Sequence, residues 1–496
     1  MLQKKVKVLS PRIFDLDNIE IDLFFDEPRA ALPCIKIENA FKLLETIYHA
    51  VLNDKDVIFE YQKNNSQIIV TRENHSKCYI NETNSTITFD DFDKFFSKSD
   101  HSSLLQVIKN NEHISETNLK QGQAVIIDLK QYKLELLKKE GDTYIELNTF
   151  SNIFMTYSSS NLLFNGSNVF LTIKDSLFEE ETTFHDTKSL NKDQEVIENN
   201  YYNLCLALDL HYGLSKERGI ISFDEFFYRK GLKEGLLSFD EAQYSETLLK
   251  VFNEYLNDEH SDIEHYSYRK NTKSSTKKLN RFFLLSKHRN LRKKYYPSDI
   301  KEYDVIGRTG FITIDRLSND TITLIKNVKE HTSFDNINSL VLDFSLCNNG
   351  SLFEGYQILS EFLSDFSFNF KSLYTGASLK TSYHFDGVDR DIELYCIVSN
   401  CNYYVSSIVA NIFKNSNKCK LIGSKTSGSV CDKRSITTLF GDILTISVGY
   451  KMLDIETNGV VPDIELDVEN IYDRKLIARI IAIENSIDFD DTLISK

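Results

Sequence analysis

Leu394–Cys431 reads LYCIVSNCNYYVSSIVANIFKNSNKCKLIGSKTSGSVC. Leu394–Val398 is a short apolar run of strand length. A turn and an amphipathic helix follow, then a second strand over Lys420–Ile422 and a Gly/Ser loop. Strand, helix and strand in that order form a βαβ unit. Its strand-to-helix turn, Asn402-Tyr403-Tyr404-Val405, is where a nucleophile would be exposed above a sheet edge. That turn carries a tyrosine where a serine would be sought.

The same alternation extends on both sides. GFITI (310–314), ITLI (322–325) and SLVLDF (339–344) read as strands, a helix is predicted from about Leu352 to Phe366, and LTISVGY (444–450) reads as another strand. A terminal helix is predicted over Tyr472–Ile483. Such alternation implies a largely parallel sheet covered by helices. Upstream, Ser222-Phe-Asp-Glu225 and Ser238-Phe-Asp-Glu241 read as capping boxes that open helices. The second helix runs into Asp258-Glu-His260-Ser261; a lone histidine after a helix is by itself ordinarily a surface or capping residue. Arg269–Lys294 holds eleven Lys or Arg and no acid. Without interleaved stacking aromatics it is read as a solvated basic stretch anchored by Phe282, Phe283, Leu284 and Leu285, rather than as a nucleic-acid site.

The first 172 residues read as α+β and rich in hairpins, with a helix near Asn39–Leu52, a turn at NETNSTIT (81–88), and Asn165-Gly166 between two apolar runs. Residues 176–198 are acidic and read as a linker. The expected division is therefore an N-terminal α+β scaffold or binding region (1–175), a helical segment with the basic stretch (196–300) and an α/β core (301–496).

The chain has 496 residues, too many for one ordinary core. Its 41% apolar content, with 25 Tyr and 34 Phe, is ample for burial, and a formal charge of −15 argues against a nucleic-acid protein as a whole. No stretch reaches the roughly 20 apolar residues of a membrane span, and the N-terminus lacks the apolar run of a signal peptide. The eight cysteines are scattered, with no zinc spacing, so reduced buried thiols and a cytoplasmic location are expected, with no metal or other cofactor.

Four landmarks in order make the C-terminal half resemble the tail-specific (C-terminal-processing) serine peptidases, related to tricorn-type core proteases. They are Asp258-Glu-His260-Ser261, the strand and loop Leu340–Gly350, the βαβ stretch Leu394–Gly428, and Glu456 to Ile464 with its Gly-Val-Val-Pro-Asp run. They cover about residues 196–496, without a PDZ-like insert. The resemblance implies a ClpP/crotonase-like ββα core and peptides or unfolded protein tails as partners. It also implies site roles: His260 as base, Glu456 as supporting acid, and Gly350 and Val405 as oxyanion donors.

Two departures stand out. Alignment through the helix puts the family serine at Tyr404, and Asn348-Asn349-Gly350 replaces a more glycine-rich loop. A bulky phenol is a poor acyl acceptor, so the preferred expectation is a member with lost or weakened catalysis and retained peptide binding. The alternative is an active endopeptidase that uses Ser406 with His260 and Glu456, Ser407 being the other serine considered as nucleophile. Ser429 stands where the lysine of a serine–lysine dyad would be, with Lys425 close by. Cys401 and Cys347 are further nucleophile candidates, and a crotonase-like acyl-thioester enzyme is the reading outside the family.

Overall fold

A computed structural model describes residues 2–485 except 12–18, 27–31, 52, 65, 73–75, 98–112, 174–192, 259, 266–275, 299, 331–335, 387–391, 429, 454, 456 and 457. Its architecture is mixed α/β, with a β-rich N-terminal region and a helix-covered C-terminal sheet.

The N-terminal strands are β1 (Leu2–Leu9), β2 (Glu20–Phe25), β3 (Cys34–Lys36), β4 (Phe59–Asn64), β5 (Gln67–Arg72), β6 (Lys77–Asn81) and β7 (Thr86–Phe89). β8 (Ile114–Lys120), β9 (Val125–Asp128), β10 (Leu137–Lys139), β11 (Asp142–Glu146), β12 (Ser160–Phe164) and β13 (Val169–Ile173) follow. They build one sheet in the order β10-β11-β3-β2-β1-β13-β12 and a meander β4-β5-β6-β7-β9. The expected helix is α1 (Ile37–Val51), whose Ala40, Leu43, Leu44 and Ile47 face the core. The Asn165 turn joins β12 to β13, its side chain accepting from the amides of Ser167 and Asn168.

Helix α2 (Gln194–His211) and helix α3 (Glu241–Lys250) pack in the next segment, α3 continuing as a wider π-type turn to Leu256. Ser222 caps its helix as expected, accepting from the Glu225 amide. The second box is corrected: Asp240 is the cap of α3, and the Ser238 hydroxyl instead accepts from the Asp240 amide and donates to Gln243. A carboxylate two residues nearer the helix reaches its free amides directly. Strand β14 (Asp262–His265) then leads to helix α4 (Thr276–Tyr295).

The core sheet has the order β15-β16-β17-β20-β21-β24, with β15 (Tyr303–Ile306), β16 (Thr309–Thr313), β17 (Ser339–Asp343), β20 (Glu393–Val398), β21 (Cys419–Gly423) and β24 (Ile464–Glu465). Every pair in it is parallel except β15 with β16. Helices α5 (Asn319–Lys329), α6 (Leu352–Ser360) and α7 (Val405–Asn415) cover one face; α4 and α8 (Arg474–Glu484) cover the other. Alternation decides which residue goes where. Leu340, Leu342, Cys396 and Val398 join the first core, whereas Val341, Tyr395 and Ile397 join Leu291, Ile477 and Ile481 in the second.

Two expectations change here. ITLI (322–325) is not a strand but the middle of α5: Ser318 caps it, and Ile322, Ile325 and Val328 recur every third residue on its buried face. Helical spacing overrides β-branched content. Helix α6 stops at Ser360, and residues 365–384 form the hairpin β18 (Asp365–Ser372) and β19 (Ser378–His384). These join β22 (Cys431–Thr437) and β23 (Ile443–Met452) in an antiparallel sheet, β14-β23-β18-β19-β8, with β22 on β23. Strand pairing thus crosses both expected boundaries, through β8 with β19 and through β14 with β23.

Candidate functional site

The turn between β20 and α7 is pinned from three directions. Asn402 is fully buried. Its Nδ2 donates to the carbonyls of Phe344 and Cys347 at 2.7 and 2.9 Å, and its Oδ1 accepts from the Ser399 amide at 2.7 Å. Its own carbonyl accepts from the Ser427 amide. One side chain therefore ties the loop after β17 to the turn after β20, and its backbone ties in the Gly/Ser loop.

Tyr404 follows, the residue immediately before α7, with φ +53° and ψ −112°. A bulky residue in that region is strained by about 1–3 kcal/mol. The conformation persists because the neighbours over-determine it. The Tyr404 amide donates to Gly428 at 2.9 Å, and its carbonyl accepts the first helical bond, from Ile408. A sharp, strained strand-to-helix turn is the geometry that lifts a nucleophile out of a sheet. Here it lifts a phenol. The ring is half-buried against the core of α5–α7, and burial pushes its hydroxyl well above the usual phenol range, so it stays protonated.

His260 meets this turn from the other side. Its ring is buried and lies edge-on to Tyr403 at 5.2 Å and to Tyr404 at 5.5 Å between centroids. Arg281 of α4 lies 4.1 Å over the outer ring, Tyr403. Burial depresses the His260 pKa; the Asp258 carboxylate opposes that shift and the Arg281 charge adds to it. The imidazole is held neutral, the form a general base requires.

Asp258 fixes the His260 turn. Oδ1 accepts from the amides of His260 and Ser261 and from Ser447; Oδ2 accepts from Ser261 and Tyr212. These bonds hold the carboxyl below the usual range despite burial. Asp258 sits inside the quoted Asp-Glu-His-Ser landmark, yet sequence reading passed over it. Asn402 and Arg281 were missed too, since neither carries a local motif.

The remaining candidates fall as follows. Ser406 is buried on the first turn of α7; its hydroxyl accepts from the Tyr403 amide at 3.0 Å and donates to the Tyr403 carbonyl at 3.1 Å. It closes its own turn. Ser407 bonds Thr426 at 2.7 Å, and Thr426 Oγ1 in turn accepts from the Val460 amide. The Gly350 amide donates to Asn349 Oδ1 at 2.8 Å, so the loop's own side chain occupies that donor. Val405 is the first residue of α7, and its amide belongs to the turn that has no intrahelical acceptors. Glu456 and Ser429 lie outside the described residues. Lys425 is exposed. The thiols of Cys401 and Cys347 are buried and pushed up to about 11 and about 12, far from thiolate character. Among the described residues no group of His, Cys, Asp or Glu is arranged to hold a metal.

Fold and turn together define a serine-peptidase-like α/β protein. Residues 308–466 match the model of peptidase family S41, so the chain carries a domain of that family. Among solved structures, a putative peptidase from Parabacteroides merdae is 14% identical, with a TM-score of 0.45 over 59% of this chain and 99% of its own. The photosystem II D1 C-terminal processing protease is 20% identical, with a TM-score of 0.29 over 34% of this chain and 46% of its own. A putative S41 protease from Bacteroides fragilis is 15% identical, with a TM-score of 0.29 over 38% and 58%. The chain thus spans about half the length of the latter two. No curated protein matches in sequence.

Proposed function

We propose that this is a peptide-binding member of the serine peptidases in which proteolysis is lost or weakened, because tyrosine occupies the nucleophile's place. The observation that carries the reading is Tyr404 at φ +53° on the strand-to-helix turn, facing the buried His260 ring. Residues 301–496 act as the peptidase-like core, 196–300 as the helical segment that brings His260, and 1–175 as scaffold or binding region in a cytoplasmic protein. Peptides or unfolded tails are the ligands. Glu456 is the supporting acid, and the amides of Val405 and, once released from Asn349, Gly350 face the bound carbonyl.

The alternative nucleophile, Ser406, is already engaged: its hydroxyl closes the Tyr403 turn, accepting from that residue's amide and donating to its carbonyl. A fluorophosphonate probe separates the readings. The native chain is expected to remain unlabelled, and Tyr404→Ser to gain labelling that a further His260→Ala change removes. Labelling of the native chain that Ser406→Ala abolishes would sink the proposal.

A further inference from the structure

The basic helix α4 has two sides of different chemistry. Leu284, Leu285, His288 and Leu291 turn inward. Phe282, Phe283, Lys287, Arg289, Lys293 and Lys294 are exposed, within an arc of about 160° at 100° per residue. Phe282 and Phe283 are 64% and 63% exposed, which folding alone leaves unexplained. The helix carries no carboxylate, in a chain of net charge −15. Its C-terminal half borders a groove of about 860 Å³ that includes Arg289, Lys293 and Arg316. Arg292 there is committed to Asp315 by two bonds of 2.6 Å. The other three cations have no carboxylate partner among the described residues and outnumber the groove's remaining acids, Glu302 and Asp320.

We infer that the exposed face of α4 docks on an anionic phospholipid surface, lying on the bilayer without crossing it. The two phenylalanines form one adjacent pair within α4, with Lys277, Lys278 and Arg281 before them in the chain and Lys287, Arg289, Lys293 and Lys294 after, so the exposed rings make a single patch flanked by cations rather than alternating with them. A polynucleotide site would interleave them, each ring stacking a base between phosphate contacts. On a bilayer a single ring patch flanked by cations fits: the ring pair enters the boundary of the acyl region while Lys287, Arg289, Lys293 and Lys294 meet headgroup phosphates, with the groove beside them open to one headgroup. The overall negative charge does not prevent this, because charges beyond about 8–10 Å are screened at physiological salt.

Flotation of the full chain with phosphatidylcholine vesicles, with and without phosphatidylglycerol, tests the inference. Binding is expected only to the anionic vesicles and is released by high salt. Lys287→Gln/Lys293→Gln/Lys294→Gln is expected to weaken it by about a hundredfold, at about fivefold per cation. Phe282→Ser/Phe283→Ser should also weaken binding. All five positions are exposed, so an unchanged melting temperature serves as the folding control. Failure to float with anionic vesicles overturns the inference. So does loss with the lysine variant but not the phenylalanine variant, or binding to single-stranded DNA or an acidic protein in place of vesicles.

Discussion

His260 and His211 are both buried and held neutral, by different surroundings. His211 lies between the Tyr374 hydroxyl and the Asn152 carbonyl, and burial pulls its pKa down to about 4. The unfolded chain takes up protons on both rings below about pH 6.5, while the folded chain refuses them until far lower pH. Each histidine therefore stabilises the fold above that point, and the contribution is lost as pH falls. Asp209, raised to about 6 by burial, works in the opposite sense, binding a proton in the folded state before the unfolded one. From about pH 7 to pH 5 the histidines cost about 2 kcal/mol each and Asp209 returns about 1, so the net loss is roughly 2–3 kcal/mol. Urea unfolding across that range checks this; a flat profile contradicts it. At this scale the sequence was partly legible. Tyr404 and His260 could be singled out because each sits in an ordered motif. Asp258 and Asn402 sit in those same motifs, but the contacts that set their roles, to Tyr212 and Ser447 and to Phe344 and Cys347, are long-range, as is Arg281 over Tyr403, and spacing does not encode them.

The Gly-Val-Val-Pro-Asp segment after β23 shows how an element's role follows from its backbone. A Cβ on Gly459 would lie 1.9 Å from the Thr426 carbonyl oxygen, and its φ is +95°. Val460 brackets Thr426, donating to its hydroxyl and accepting from its amide, and Asp463 pairs both ways with the Leu421 backbone. This segment clamps the loop that receives the Tyr404 amide. Gly459→Ala is expected to cost on the order of 3 kcal/mol or more, through strain and a backbone clash, measured by denaturant unfolding. Asn402→Ala is expected to cost on the order of 3 kcal/mol as well, because the Cys347 carbonyl and the Ser399 amide lose their partner in a dry interior and the Phe344 carbonyl keeps only the Cys347 amide. A change below about 0.5 kcal/mol in either variant would show that the turn is held by something else. Legibility at this scale depended on periodicity. The βαβ stretch read correctly because its strand is uniformly apolar and its helix amphipathic. The hairpin at 365–384 was missed because Leu359, Leu363 and Phe366 continue a helical spacing past Ser360. The period-2 signal of Phe366, Phe368 and Phe370 is present in the sequence, but the helical spacing running into Phe366 outweighed it; in the strand those three rings are the buried ones.

Across the whole molecule, the three stretches marked off by composition are stitched together by strands. β8 pairs with β19 over Ile114–Lys120 and Ser378–Tyr383, and β14 pairs with β23. Asn152 and Asn161 add side-chain bonds to the Thr437 and Ser435 carbonyls of β22. Thr375 bonds the buried carboxyl of Asp93. Composition could not foresee such exchange, since a strand's partner depends on topology rather than on its own residues. A chain beginning at residue 193 would lack β8, leaving β19 as an open edge, and would uncover the polar carbonyls of β22. It is expected to aggregate or to melt well below the full chain, even though it contains all four landmarks of the peptidase-like half. Supplying residues 1–175 as a separate chain should restore solubility only if β8 can reach its edge. Thr117→Pro, which removes an amide from the middle of β8, should abolish that rescue. A truncated chain that stays monomeric and melts with the full-length protein would show instead that the β8 and β22 contacts are dispensable, and that the peptidase-like half folds alone.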